Sequence, residues 1–368
     1  MDARMKVAPL GQFNLISRLS SEVTKNMGRM GGSFSPDHAS IHRLKPIIAV
    51  SDMWLPVFIS LVAVFITVKY MLSRLRLKQK NSELYVLITG CDSGFGYLAA
   101  KMFASRGIHV FAGCLKEFQS DTGPSELLIP ILLDVTNEEQ IKNTVKTVSD
   151  RLPPNHGLWA VINNAGVALH TGLCEAQTPD NFKDCLNVNF FGMVMVVKHF
   201  LPLLRKSSGR IINMASIAGR FAFPMSSPYV VSKFAVEGYS ECLRRELYHQ
   251  DVSVHVIEPG IFDTGILDRA QPVEFSKSTF DSLSEEAKDY YGRDFIQKSW
   301  EKMGLIKGSK DLSQVTETYY HAVTARYPQA YYRVGWDAQT LFTVLIHLPV
   351  CVSDFLITWR QAKLAGVH

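Results

Sequence analysis

No two of the six cysteines form a Cys-x-x-Cys pair; Cys91, Cys114, Cys174, Cys185, Cys242 and Cys351 stand at scattered spacings. That excludes the common zinc and thioredoxin-like patterns and fits reduced thiols, each packing as a small hydrophobe. His170, His199, His249 and His255 also lack metal-ligand spacing, so no metal site is expected. Charge is sparse: 20% of the 368 residues are Asp, Glu, Lys or Arg, and the net charge is +5. The basic excess lies in the first 80 residues and comes with no recognisable reading motif, so no nucleic-acid partner is expected. No Gly-x-Ser-x-Gly surrounds a serine, which removes the elbow of a serine hydrolase. No internal repeat is found.

One long apolar run is present. Residues 53–72 (MWLPVFISLVAVFITVKYML) carry a single charge, Lys69, and about 20 such residues span a bilayer as a helix. Pro56 falls near the start, where the first turn needs fewer backbone donors. Lys69 late in the run, with Arg74, Arg76, Lys78 and Lys80 after it, makes a basic stop, and Arg43, Lys45 and Asp52 precede the run. The positive-inside rule therefore leans toward a cytoplasmic catalytic domain. Residues 1–52 read as a disordered extension with Arg4, Lys6, Arg18, Lys25 and Arg29. A mitochondrial presequence is disfavoured by Asp2, Glu22 and Asp37, and a secretory signal by the late start of the apolar run. A second apolar stretch, 341–359, is broken by His347, Pro349 and Asp354. It reads as interfacial or as a cover for the substrate mouth.

From Tyr85 the pattern becomes strand, glycine-rich turn, helix. Tyr85–Thr89 (YVLIT) precedes Gly90-Cys91-Asp92-Ser93-Gly94-Phe95-Gly96, and a helix is expected over 97–106. Such a turn lets backbone approach a pyrophosphate held over the helix N-terminus. Gly90, Ser93, Gly94, Phe95 and Gly96 are its candidate cofactor residues, and no Lys-Ser/Thr follows to make it an ATPase phosphate loop. The next strand, 109–113, ends at Cys114, Leu115 and Lys116. An acid there would bind ribose hydroxyls and a base a 2′-phosphate. None of the three is an acid and only Lys116 favours phosphate, so NAD is expected over NADP. Strand 129–134 brings Asp134 and Val135 to the adenine, and strand 158–162 leads to Asn163-Asn164-Ala165-Gly166. With helices over 137–151 and 180–205, the alternation implies an α/β doubly wound parallel sheet with ligands at the strands' C-terminal edge.

Strand 210–215 ends at Ser216; Tyr229 follows thirteen residues later and Lys233 four after that. Glycine turn, Asn-Asn-Ala-Gly, Ser and Tyr-x3-Lys in this order resemble the short-chain dehydrogenase/reductase family over about residues 82–365. Within it the chain is similar to the retinol and hydroxysteroid dehydrogenase branch. The likeness is carried by the 89–96 turn, Phe111-Ala-Gly-Cys-Leu115, Gly157-Leu-Trp159, Phe190-Phe-Gly192, Leu201-Pro-Leu-Leu204, Glu258-Pro-Gly260 and Gly335-Trp-Asp-Ala338.

The resemblance implies a single Rossmann catalytic domain, 82–320, with a substrate lid at 261–310; the apolar runs add an anchor at 53–72 and a membrane-associated or pocket-covering segment at 321–368. It implies Tyr229 as general acid/base. A free phenol's pKa is near 10, and Lys233 with the cationic nicotinamide would favour the phenolate. Ser216 would hold the substrate oxygen, and Lys233 the nicotinamide ribose. Asn189, preferred over Asn187, would complete a proton relay. Asn163 would brace the sheet, Ala165 and Gly166 would admit the cofactor closely, and Pro259 and Gly260 would shape the nicotinamide pocket. Thr264 would reach the carboxamide or pyrophosphate, or merely cap a helix.

Lid residues Ile261, Phe262, Ile266, Leu267, Phe275, Phe280, Leu283, Phe295 and Trp300 suggest an apolar pocket for a lipophilic alcohol, retinoid or steroid. A small hydroxy acid would want a cation such as Arg220 or Arg269. The expected enzyme is thus a nicotinamide-dependent alcohol dehydrogenase of the endoplasmic reticulum membrane. A mitochondrial 3-hydroxybutyrate-type dehydrogenase and a silent NAD-binding scaffold are the alternatives. Expected partners are the substrate and the membrane, with a homodimer left open.

Overall fold

The computed structural model describes residues 38–77, 79–116, 126–264, 270–303, 308–359 and 364. The chain divides into two compact units, Met1–Lys69 and Tyr70–His368.

Helix α1 runs His38–Ser73, so its first turns fall in the stretch expected to be disordered; the basic positions before residue 38 lie outside the described residues. Within it Pro56–Ser73, 18 residues, is long and apolar enough to cross a membrane. Val57, Phe58, Leu61, Phe65 and Met71 on this stretch are all exposed, unlike a helix belonging to a core.

The second unit contains a seven-stranded parallel sheet. Its strands are β1 Tyr85–Thr89, β2 His109–Cys114, β3 Leu128–Leu132, β4 Ala160–Asn163, β5 Arg210–Met214, β6 Ser253–Pro259 and β7 Tyr331–Val334, in the order β3-β2-β1-β4-β5-β6-β7. The order reverses between β1 and β4, and that switch point is where a doubly wound sheet opens a crevice. β7 pairs with β6 through Glu258↔Arg333, so the catalytic sheet extends past residue 320 into the stretch read as a covering segment. Tyr-Tyr-Arg-Val in a four-residue strand, with Tyr332 and Val334 buried, gives too weak a pattern to be seen without the β6 partner.

Both faces are covered, which is why the strands read as continuous apolar runs. One layer holds α2 Gly94–Ser105 and α10 Ser313–Thr324; the other holds α3 Glu138–Arg151, α5 Met193–Lys206 and α6 Ser227–Glu246. Ile88, Val110, Phe103 and Tyr319 fill the first core, and Leu87, Phe111, Phe200 and Ile211 the second. Each such aliphatic or aromatic side chain contributes roughly 1.5–3 kcal/mol on burial. Asn137 caps α3 by accepting from the Glu139 and Gln140 amides.

The helix expected over 180–205 is present over Pro179–Lys206, with a π-turn inside it. It runs as α4 Pro179–Leu186, a π-turn Asn187–Gly192, then α5. Such π-bulges re-aim side chains at functional sites. Beyond the sheet's edge of the crevice lie α7 Ala270–Asp281, α8 Glu285–Tyr291 and α9 Phe295–Met303. The apolar stretch near the C-terminus forms α11 Thr343–His347 and α12 Val350–Thr358. Phe342 and Leu345 pack with Ile217, Phe221 and Phe223, while Val350, Phe355 and Trp359 stay exposed.

Candidate active site

A cavity of about 1170 Å³ opens along the C-terminal ends of the strands. One end is the glycine turn. Gly90 has φ +69°, and a Cβ there would meet the Ala165 backbone at 2.7 Å; one on Gly96 would meet the Gly90 carbonyl at 2.2 Å. Helix α2 begins at Gly94, three residues earlier than the apolar pattern suggests, so its N-terminus borders the cavity. Gly90, Ser93, Gly94 and Phe95 line the cavity, and Gly96 lies behind them as packing. A dinucleotide's pyrophosphate fits this cradle: close backbone, helix N-terminus, no obstructing side chain.

Asn164 holds the cradle from below. Its Nδ2 donates to the carbonyls of Thr89 at 2.8 Å and Gly90 at 2.9 Å, and its Oδ1 accepts from the Tyr319 hydroxyl at 3.0 Å. Asn163 donates to Asn213 Oδ1 at 2.8 Å, linking β4 to β5. Asp134, Val135, Ala165 and Gly166 all line the cavity. Thr264 lines it too and faces Gly94, whose Cβ would stand 4.0 Å from the Thr264 Cβ.

Two acids escaped the sequence reading. Asp92, inside the glycine turn, accepts the Leu115 amide at 3.0 Å and the Lys116 amide at 2.9 Å, and lines the cavity. The acid at the tip of β2 thus comes from the neighbouring turn, not from the strand itself. Asp337 accepts the Ile261 amide at 2.6 Å and crowds Gly260, where a Cβ would meet its Oδ1 at 2.1 Å. Only the register of β6 on β7 brings it there.

The other end of the cavity gathers Ser216, Tyr229 and Lys233. Ser216 caps the short turn Ile217–Gly219, its Oγ accepting the Ala218 amide at 3.1 Å. Pro228 opens α6, placing Tyr229 in its first turn and Lys233 one turn on, on the same face. The Lys233 Nζ stands 5.6 Å from the Tyr229 ring centre and donates to the Met214 carbonyl at 2.9 Å. Burial raises the Tyr229 phenol above its usual value; a hydrogen bond with Ser216 opposes this, and Cys185 adds to it. Burial brings the Lys233 ammonium down to about 8, against the pull of Glu237 and Cys185. Protein alone therefore does not make the phenol acidic; desolvation outweighs Ser216.

Asn189 turns inward from the π-turn and is buried, while Asn187 is exposed. Its Oδ1 accepts the Val167 amide at 2.7 Å, and its Nδ2 donates to the Val167 carbonyl at 2.8 Å and to Ser232 Oγ at 2.9 Å. A Cβ on Gly166 would lie 3.1 Å from Asn189 Oδ1 and 3.7 Å from Lys233 Nζ, so these three positions adjoin. Asn189 does not itself line the cavity.

Between the two ends the wall is largely apolar: Ile217, Phe223, Ile261, Phe262, Val273 and Trp300. Phe280 and Phe295 pack instead with Met225 and Ile296 in a core of their own, and Phe275 leans on His170. Ile266, Leu267 and Arg269 lie outside the described residues.

Residues 84–274 match the model of the short chain dehydrogenase family. The chain is 39% identical over 293 residues to human dehydrogenase/reductase SDR family member 9, covering 77% of this chain and 90% of that protein. It is 37% identical over 319 residues to human 17-beta-hydroxysteroid dehydrogenase type 6, covering 84% and 98%. Mouse retinol dehydrogenase 16 is 36% identical over 319 residues with the same coverage. Among solved structures, a short chain dehydrogenase from Burkholderia cenocepacia J2315 in complex with NADP superposes with TM-score 0.58 at 24% identity, covering 76% of this chain and 100% of that one. That likeness speaks to the fold alone.

Proposed function

The chain belongs to the short-chain dehydrogenase family, in its retinol and hydroxysteroid branch, and from that membership we propose that it is a membrane-anchored enzyme oxidising a lipophilic alcohol, a retinol or hydroxysteroid, with NAD. The observation that carries the reading is one cavity with a glycine cradle at one end, Ser216, Tyr229 and Lys233 at the other, and apolar wall between.

When bound, the nicotinamide accepts the hydride and brings a positive charge to the site. Ser216 holds the substrate hydroxyl, and Tyr229 takes its proton as the C–H bond breaks. Burial opposes that ionisation, so the phenolate depends on Ser216, on the Lys233 ammonium and on the cofactor's charge together. Lys233 also binds ribose hydroxyls, and Asn189 steadies the strand-end loop at Gly166 and Val167 beside it.

Asp92 supports NAD over NADP, because a carboxylate at the tip of β2 accepts ribose hydroxyls and repels a 2′-phosphate. The walls support a lipophilic substrate over 3-hydroxybutyrate. Among the described residues the cations lining the cavity are Lys116 and Lys233, at the adenosine and nicotinamide ends. Arg220 is engaged by Glu237 and Glu258 and is not free to hold a carboxylate.

The Pro56–Ser73 span and the basic residues Arg74, Arg76 and Lys80 after it support anchorage with the catalytic unit cytoplasmic, in the endoplasmic reticulum. The deciding experiment screens microsomes carrying the full chain against retinol, androstanediol, estradiol and 3-hydroxybutyrate, each with NAD and NADP. Turnover of 3-hydroxybutyrate alone, or of no alcohol, overturns the reading.

A further inference from the structure

Three segments carry the candidate chemistry: the turn from Ser216, helix α6 with Tyr229 and Lys233, and the end of β6 with Pro259 and Gly260. One guanidinium reaches all three. Arg220 ends the Ser216 turn, forms an ion pair with Glu237 at 2.9 Å, and donates its Nε–H to Glu258 Oε1 at 2.9 Å. Glu237 stands one helical turn beyond Lys233, and Glu258 directly precedes Pro259. Both acids are buried, with 5% and 1% of their surface exposed.

The cluster is braced from the sheet edge. Arg333 donates to the second oxygen of Glu258 at 3.0 Å and to Thr343 Oγ1 at 2.9 Å. The Arg220 guanidinium covers the Tyr331 ring at 4.8 Å. On the inner side the turn lies directly on α6: a Cβ on Gly219 would meet the Lys233 carbonyl at 2.8 Å and Glu237 Cγ at 2.9 Å.

This is a poor way to gain stability. Desolvating such ions cancels much of their attraction, although removing one partner is costly. What the guanidinium does provide is a bridge: its Nε–H is aimed at Glu258 Oε1, while its charge holds the Glu237 carboxylate beside it as an ion pair. Burial and the nearby Glu258 raise the Glu237 carboxyl while Arg220 opposes them, as expected where one cation holds two acids together. Arg220 and Glu258 line a separate polar cavity of about 880 Å³, along with Arg333 and Tyr331. Arg220 and Glu258 are not among the residues lining the substrate cavity.

We infer that Arg220 is a positioning residue: it clamps Ser216 against Tyr229 and Lys233 through Glu237, and against the Pro259-Gly260 turn through Glu258. The inference rests on the roles given to Ser216, Tyr229 and Lys233 under the proposed function. Misplacing a reacting group by 1 Å costs on the order of 100-fold in rate, so a clamp that touches no substrate still sets kcat.

The test uses the full-length chain with Arg220→Met, which removes the charge, and Arg220→Lys, which keeps the charge but lacks the Nε–H aimed at Glu258. Each is assayed with NAD and the four alcohols above, titrated with NADH, and followed by hydrogen exchange. Arg220→Met lowers kcat about 10- to 100-fold, with KM and NADH affinity within about twofold of the parent; Arg220→Lys does not restore it. Amides of 216–219 and 260–261 exchange faster together in both variants. A kcat within about twofold of the parent, or a loss that tracks NADH affinity, overturns the clamp. So does unchanged exchange at both segments. If Arg220→Met does not accumulate, Arg220→Lys decides by the same readouts. A parent chain silent on every alcohol defeats the functional reading, and the exchange data then judge the clamp alone.

Discussion

The carboxylate of Asp337 accepts the amide of Ile261 at 2.6 Å, across 76 residues of sequence. It thereby ties the loop after β6, which lines the cavity together with Ser216, to the segment after β7. Gly260 has room for this carboxylate only because it lacks a Cβ. Removing a hydrogen bond to a charged group costs about 1.5–3 kcal/mol. Asp337→Ala is therefore expected to weaken NADH binding about tenfold or more by fluorescence titration, with the protein still folded. Unchanged NADH affinity would separate this loop from the cofactor.

Tyr229→Phe removes the proposed proton acceptor and leaves the ring packing. The variant should fold and bind NADH like the parent while turnover falls roughly 100- to 10,000-fold, the usual span for a lost general base. Retained activity would take Tyr229 out of the mechanism.

Asp92 is the position to test for cofactor choice. Cys114, at the strand tip, is buried, so an acid there would disturb the core before it met a ribose. Asp92→Ser should narrow NAD-over-NADP discrimination by about tenfold, roughly 1.4 kcal/mol, measured as the ratio of kcat/KM values. A parent enzyme already preferring NADP would refute the cofactor assignment.

Stability should depend on His255. Its Nδ1 faces the Gln329 carbonyl at 2.7 Å and its Nε2 the Ser253 hydroxyl at 2.8 Å. The neutral ring satisfies both by donating from Nδ1 and accepting at Nε2. Burial pushes its pKa from 6.5 to about 4. Above about 6.5 neither folded nor unfolded chain protonates it, and its contribution is whole. As pH falls toward 4 only the unfolded chain takes the proton, so up to about 3 kcal/mol of stability is lost. Chemical denaturation between pH 7 and 4 should show a shallower decline in His255→Gln than in the parent. Parallel declines would mean that His255 does not titrate in this window.

Legibility followed the distance along the chain over which each feature is written. The glycine turn, the Tyr229–Lys233 pair and the Ser216 strand end are each encoded within a few residues, and each contributes to the lining of one cavity. The long helix over 180–205 was legible, but the π-turn inside it was not, because such a turn has no apolar period of its own. Yet that turn is what aims Asn189 inward and leaves Asn187 exposed. Strand β7 was hidden because four residues, partly exposed, carry little signal until β6 supplies the partner.

By itself the sequence determined the doubly wound class, the apolar span ahead of the domain, and the identity of the serine, phenol and amine gathered at the cavity. Each follows from local periodicity or a fixed spacing on one element. Tertiary structure alone decided that Asp92 reaches the tip of β2, that Asp337 reaches Ile261, and that Arg220 joins Glu237 to Glu258. It also decided how deeply the Tyr229 phenol is buried, and that burial raises it. Those outcomes depend on which elements the sheet order makes neighbours and on how deeply packing removes water, and neither is written in any one stretch of chain.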